Sequence, residues 1–460
     1  MDAIIGFFSF IQSLGISVMM PIIIFVLALR FRVKASDAIR AGLTVGVAFI
    51  GLNLVIGLLG DNLGTAVQHI AEIYGLELSV IDVGWPGVSA IAYASAAGAL
   101  VIPLCLLTNA IMLLLNMTQT MDVDIWNFWH YALVAAFVEI LTGSLLLALV
   151  IAMLNFVIVL IIADNFVDGL EETNGLPGIS IPNAFAAAFA PIAWVLNKII
   201  DKIPGVRDID IDFTGLQEKV GVFGEPIFIG TVLGAVLGIV AQQSFQEITT
   251  LAITMGAVLV LIPKMAALLM DGLLPISNAA GDFMQEHFAS RGKIYIGLDS
   301  AVAIGHPVTL AVSLILVPVV VFMAVIIPGN KMVPFVDLAV IPYMFALITP
   351  LVRGNGFRCL VIGAFVLAFG LLFSTDVAGL TTQMAMNAGI ALPEGASQIS
   401  SICDGSSPLL WIFVKLMELG PLGIGAIIVG TLALAVWNRM RILKEAKADA
   451  AAADATDAAE

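Results

Sequence analysis

The sequence predicts an all-α polytopic membrane protein of about eleven transmembrane helices, with interrupted or re-entrant segments and two inverted repeats. Three observations predict it. Of 460 residues, 60% are hydrophobic and only 12% are charged, too little polar surface for a soluble domain of this size. Long apolar windows follow one another along nearly the whole chain. Between them, Gly, Pro and polar residues recur inside otherwise apolar sequence.

Windows long enough to cross a core of roughly 30 Å begin near Ile4, Ala41, Ser95, Tyr131, Val222, Ile248, Val308, Val336, Phe357 and Ile412. No basic n-region or small-residue cleavage site accompanies Ile4, so the first window is expected to be a membrane helix and not a removable signal. The Tyr131 to Ile162 stretch is long enough for one tilted helix or for two broken near Thr142-Gly143. Four segments, "IDVGWPGVSAIAYAS", "NGLPGISIPNAFAAAFAP", "IGLDSAVAIGHPVTL" and "MNAGIALPEGAS", are too irregular for simple spans. Lipid cannot satisfy free backbone N–H and C=O groups, so such segments are expected to be buried in protein or to line a watery cavity.

Similar strings recur roughly 205 to 221 residues apart, the sign of an internal duplication. Pro21 pairs with Pro226, Gly84-Trp85-Pro86 with Gly305-His306-Pro307, Val123-Asp124-Ile125 with Val336-Asp337-Leu338, and Ile179 to Pro182 with Ile390 to Pro393. The membrane domain is therefore read as residues 1–440, with repeats of approximately 1–196 and 220–440 joined by a polar linker at 197–219. Residues 441–460 form an Ala-rich, acidic tail, read as a frayed helix or as disordered.

Charge orients the halves. The loop "RFRVKASDAIR" is basic and its second-half counterpart "QQSFQE" is not, so the positive-inside rule puts the former in the cytoplasm and inverts the repeats. The N-terminus is then outside, and the basic "WNRMRILKEAK" puts the C-terminus in the cytoplasm, which requires an odd number of crossings.

Ionisable groups within apolar sequence are costly and mark candidate sites: Asp82, Asp124, His130, Glu139, Glu225, Asp299 and His306. Glu225, between Gly224 and Pro226, sits at a helix entrance. It can complement the helix dipole, or accept the hydroxyls of a ligand; a dipole partner would not need glycine beside it. Asp82 with Trp85, and Asp299 with His306, combine acceptors with aromatic faces, which suits a neutral polyhydroxy ligand. Helix capping by the aspartates and an interior, satisfied His306 are the plainer alternatives. In "VDIWNFWHYAL", Asn127 and His130 share one helical face as candidate donors, while Trp126 and Trp129 read as an interfacial aromatic belt.

Several classes are excluded. No Walker A string, HExxH, nucleophile elbow or clustered Cys/His set occurs, so neither ATP hydrolysis, a metal, a cofactor nor a catalytic nucleophile is expected. Cys105, Cys359 and Cys403 are scattered and read as packing residues. Nothing is basic enough to bind nucleic acid.

The strings "DVGWPG", "VDIWNFWH", "GEPIFIG", "GLDSAVAIGHP", "PGNKMVPFVDLA" and "GNGFR" resemble the membrane-embedded IIC component of the galactitol-specific phosphotransferase system, in the galactitol and ascorbate group. The similarity runs from about Pro21 to Trp411. It implies a multi-pass group translocator of the bacterial inner membrane, with a transport domain that moves elevator-like across a dimeric scaffold. It further implies partners: a polyol such as galactitol, a cytoplasmic IIB that phosphorylates it from a phosphocysteine, and the IIA that charges IIB. The resemblance departs at Asn183, where galactitol proteins tend to carry histidine after "IP". An amide still donates and accepts hydrogen bonds but cannot change charge, which leaves another hexitol or a pentitol open. A cation-coupled polyol transporter would share the repeats and the intramembrane acids; it would deliver an unmodified solute.

Overall fold

The computed structural model describes residues 16–30, 32–74, 79–211, 221, 225–288, 293–390, 392 and 397–457. The start of the first expected span, most of the second half of the linker, residues 222–224 before Glu225, and Pro393 lie outside the described residues.

The first half runs α1 (Ile16–Arg30), α2 (Ala35–Tyr74), β1 (Val80–Asp82), α3 (Gly84–Ala94), α4 (Gly98–Leu114), β2 (Thr120–Asp122), a 3-10 turn (Ile125–Phe128), α5 (Trp129–Thr142), α6 (Leu145–Asp164), α7 (Val167–Asn174), β3 (Ile179–Ser180) and α8 (Ala184–Ile200). The second half runs α9 (Pro226–Val240), α10 (Phe245–Phe288), β4 (Tyr295–Gly297), a 3-10 turn (Ser300–Val302), α11 (Pro307–Ile326), β5 (Met332–Val333), a 3-10 turn (Val336–Val340), α12 (Ile341–Leu351), α13 (Gly356–Asn387), β6 (Gln398–Ser400), α14 (Ile402–Gly405), α15 (Pro408–Glu418) and α16 (Pro421–Asp457). Among the described residues, five helical stretches are long and apolar enough to cross a membrane: Ile125–Thr142, Leu145–Asp164, Pro307–Ile326, Gly356–Asn387 and Pro421–Ala448. Other apolar sequence among the described residues lies in shorter helices such as Ala184–Ile200 and Val336–Leu351.

Local chemistry explains the breaks. The Tyr131 to Ile162 stretch is two helices: Gly143 adopts φ 68° at the end of α5, and Ser144 caps α6 by accepting from Leu147 N at 3.3 Å. The last helix runs on through Asp457, well into the tail read as frayed or disordered.

The helical fold also carries six strands of two or three residues, four of them within or beside the irregular segments. They form two parallel sheets, ordered β5-β1-β6 and β2-β4-β3. One strand of the first half sits between two of the second, and one of the second sits between two of the first. Val80 aligns with Met332 and Gln398, and Ile296 with Met121 and Ile179. The physical reason is backbone satisfaction: non-helical N–H and C=O groups in an apolar interior need partners, and these segments supply one another's.

Two buried aspartates lock the first sheet. Asp82 accepts from Gly84 N at 3.0 Å and from Phe335 N and Asp337 N at 2.9 Å each. Asp337 accepts from Trp85 N and Cys403 N at 2.8 Å each and from Ser401 Oγ at 2.5 Å. Glycine is required at 84, where φ is +71° and a Cβ would stand 2.3 Å from Val336 Cγ1. Beside this centre, α1, α2, α9 and α10 pack chiefly on one another.

Candidate functional site

Where the two sheets and their following turns converge, a cavity opens with about 60 Å³ of space for the centres of water molecules, enough for about four waters at ~15 Å³ each. It gathers five of the residues singled out from sequence: Trp85, Asn127, His130, Asn183 and Asp299. They come from α3, the first 3-10 turn, the start of α5, the cap of α8 and the turn after β4, and so from both halves of the chain.

One wall is aromatic. Trp85 stacks over Trp129 with centroids 6.5 Å apart at 27° and meets Trp126 edge-on at 5.9 Å. Tyr93 fixes the Trp126 backbone, its hydroxyl donating to Trp126 O at 2.9 Å. Trp126 and Trp129 are thus buried cavity walls, which corrects their reading as an interfacial belt. The belt rule sees an amphipathic ring between apolar and polar surroundings, and the rim of an internal cavity offers the same surroundings.

The polar side faces that wall. Asn127 Nδ2 donates to both Asp124 Oδ2 and Asp299 Oδ2, and Asp299 Oδ1 accepts from Ala301 N at 2.6 Å. Asn183 caps α8, its Oδ1 accepting from Ala186 N at 3.0 Å, which leaves its amide NH₂ for the cavity. His130 stacks on Trp129 at 4.0 Å, and its Nδ1 lies 2.7 Å from Asp404 Oδ2 of α14. Two further lining atoms are buried without any hydrogen-bond partner: the Trp129 Nε1–H donor and Ser300 Oγ. Unpaired polar atoms cost roughly 1–3 kcal/mol each when buried, so a ligand hydroxyl reaching them would gain correspondingly. No lysine or arginine lines the cavity among the described residues. Aromatic faces, amide donors and carboxylate acceptors suit a neutral polyhydroxy ligand better than an anion.

Five sequence candidates stand outside the lining: Asp124, which accepts from Asn127, Glu139 near the end of α5, and Asp82, Glu225 and His306. Asp82 is fully buried and its carboxylate is occupied by three backbone donors, so it acts as a structural clasp and not as a ligand group. Glu225, expected in the cavity, is exposed at the N-cap of α9, without a side-chain capping bond and away from the lining. His306 caps α11, its Nδ1 accepting from Val308 N at 3.3 Å, also outside the lining. Sequence reasoning missed Trp129 and Ser300 as ligand-facing groups, and Asp404 altogether. Asp404 sits in "SICDGSSP", an acid among small polar residues before an apolar run, and that pattern is its local signal.

A larger cleft, about 580 Å³, lies beside β2 and β4 and is lined by Lys293, Arg441, Asp168 and Glu445. It holds none of the predicted residues, and the Asp164 carboxylate on its wall is filled by Thr118, Thr120 and Asn438. Volume alone therefore does not select the site.

Helical spans around a cavity built from interrupted segments define a membrane transport protein for a small polar solute. Comparison with known proteins narrows the class. The EIIC-GAT family model, described as "PTS system sugar-specific permease component", matches residues 9–395. A "Putative permease IIC component" of Escherichia coli (strain K12) is 40% identical over 439 residues, covering 95% of this chain and 100% of that one. The "PTS system galactitol-specific EIIC component" of the same strain is 38% identical over 437 residues, covering 94% and 96% respectively. The protein belongs to the phosphotransferase-system IIC permease family.

Proposed function

We propose that the chain is the membrane subunit that takes up a sugar alcohol, galactitol first among the candidates, and presents it to a cytoplasmic IIB subunit for phosphorylation from a phosphocysteine. The observation that carries this reading is the cavity itself: stacked tryptophans opposite amide, carboxylate and imidazole groups, with no cationic lining. The relative named for galactitol, aligned over 94% of the chain, supports the choice of polyol. Asn183 is the group through which a different hexitol or pentitol would be selected, since its amide NH₂ faces the ligand space.

The architecture supports the rest of the reading. The reciprocal strand exchange is what two inverted halves, approximately 1–196 and 220–440, would produce when each lends a central strand to the other. The group α1, α2, α9 and α10 takes one helix pair from each half and forms the scaffold of a homodimer; the remaining elements carry the cavity and move past it in an elevator-like cycle. Basic residues at Arg30, Lys34 and Arg40, and again at Arg439 and Arg441, orient the chain in a bacterial inner membrane with the N-terminus outside and the C-terminus in the cytoplasm.

The test is uptake of labelled galactitol by membrane vesicles, with and without phosphoenolpyruvate and the soluble phosphotransferase proteins. The expected product inside is phosphorylated and requires the phosphoryl donors. Free galactitol accumulating on an ion gradient would instead identify a cation-coupled transporter.

A further inference from the structure

The cavity contains one residue pair whose geometry exceeds what binding a hydroxyl requires. His130 Nδ1 stands 2.7 Å from Asp404 Oδ2, and the two side chains are only 3% and 5% exposed. Their positions in the chain differ by 274, so the pair exists only because α14 of the second half closes over α5 of the first. Trp129 holds the imidazole plane, stacked at 4.0 Å and 30°. With Nδ1 turned to a carboxylate, the ring carries its proton there and leaves a lone pair on Nε2. Nε2 has no protein partner among the described residues, and the ring lines the cavity.

The other acids near this space are differently placed. Asp299 and Asp124 share the Asn127 amide, and Asp299 also takes Ala301 N, so both carboxylates already accept hydrogen bonds from the protein, whereas His130 Nε2 accepts none among the described residues. Asp82 and Asp337 are filled by donors of the first sheet. Cys403 lines the cavity, yet no cation stands beside it to favour a thiolate. His130 is thus the cavity group that combines a free basic lone pair, a fixed orientation and a second residue that can stabilise the charge it would acquire. A nucleophile's base oriented by a third group is the arrangement that activates hydroxyls in acyl and phosphoryl transfer.

We infer that His130 is the general base for phosphorylation of the bound polyol and that Asp404 is its positioning residue. The inference rests on the phosphotransferase reading above. In the step, a polyol hydroxyl oxygen attacks the phosphorus of the partner's phosphocysteine and an O–P bond forms. The S–P bond breaks, and its electron pair leaves on the cysteine sulfur as thiolate. The hydroxyl proton passes to His130 Nε2, giving an imidazolium paired with the Asp404 carboxylate, which then releases the proton to water. Reactants and products balance as polyol plus phosphocysteine giving polyol phosphate, thiolate and one proton.

The test separates binding from transfer. Wild-type, His130→Gln and Asp404→Asn proteins are reconstituted with the phosphorylated partner subunit. Galactitol affinity is measured by direct binding, and the rate of galactitol phosphate formation is measured at saturating galactitol. A general base contributes about 10²–10⁴ in rate. The expected result is a loss of about 100-fold or more in rate at saturating galactitol for His130→Gln, and of at least about tenfold for Asp404→Asn, with saturable galactitol binding retained in both. Retained binding also reports that the variants are folded. A His130→Gln protein with unchanged transfer rate, or with rate at saturation intact and affinity alone reduced, overturns the inference. Wild-type protein that delivers only free galactitol overturns the phosphotransferase reading and this inference with it, whereas phosphorylation by wild type and by His130→Gln alike overturns only the inference.

Discussion

Two sets of carboxylates in the same apolar chain do opposite work. Asp82 and Asp337 are surrounded by donors of the protein's own backbone and of Ser401, and nothing of them is left for a ligand. Asp299, with Asp124, is held by a side-chain amide at the edge of a cavity, and Asp404 is held by a histidine that lines it. Both sets look alike in the sequence, as acids in greasy surroundings. What distinguishes them is the partner: donors of the fold's own frame fix the fold, whereas side-chain donors at a cavity can be traded for a substrate's hydroxyls.

Substitutions can break or sharpen that contrast. The largest effect is expected at the closed set. Asp337→Ala strips acceptors from three buried donors, each worth about 1–3 kcal/mol when left unpaired, so detergent-solubilised protein should lose several kcal/mol of stability. A thermal-unfolding scan and the yield of monodisperse protein read this directly. A stable Asp337→Ala variant that had lost only galactitol binding would move Asp337 into the open set. At the open set, Asp299→Asn keeps an acceptor for Ala301 N and should lower galactitol affinity by about tenfold or more, roughly 1.4 kcal/mol, with little change in the unfolding midpoint. Trp129→Phe retains the stacked wall and deletes the unpaired Nε1–H, so a smaller loss of about three- to tenfold is expected in the same assay. Smallest of all should be Glu225→Gln, within about twofold of wild type, because that carboxylate is exposed at the cap of α9 and is not among the lining residues. A large loss there would bring the scaffold helices into the site.

Much of this was legible before any coordinates. Apolar windows and Gly/Pro interruptions identified the membrane character and the four irregular segments, and Trp85, Asn127, His130, Asn183 and Asp299 meet in one cavity. Of the two alternatives for the Tyr131 to Ile162 stretch, the structure has the break after Thr142, where Gly143 and Ser144 end one helix and start the next. The strands were hidden because two or three residues cannot display an alternating pattern, and their pairing partners lie in the other half of the chain. The same distance hid Asp404, whose role depends on a histidine far away in sequence. Glu225 attracted attention through a conspicuous local setting, Gly-Glu-Pro, that the fold uses to open a helix. Local rarity marks where the backbone is special; it does not say which residues converge.

The most direct test of the central claim, that this cavity is the polyol site, is equilibrium binding of labelled galactitol to purified wild-type, Asp299→Asn and Glu225→Gln proteins side by side. The account predicts saturable binding by wild type, about tenfold or weaker binding by Asp299→Asn, and near wild-type binding by Glu225→Gln. Binding that survives Asp299→Asn unchanged and disappears in Glu225→Gln would contradict it.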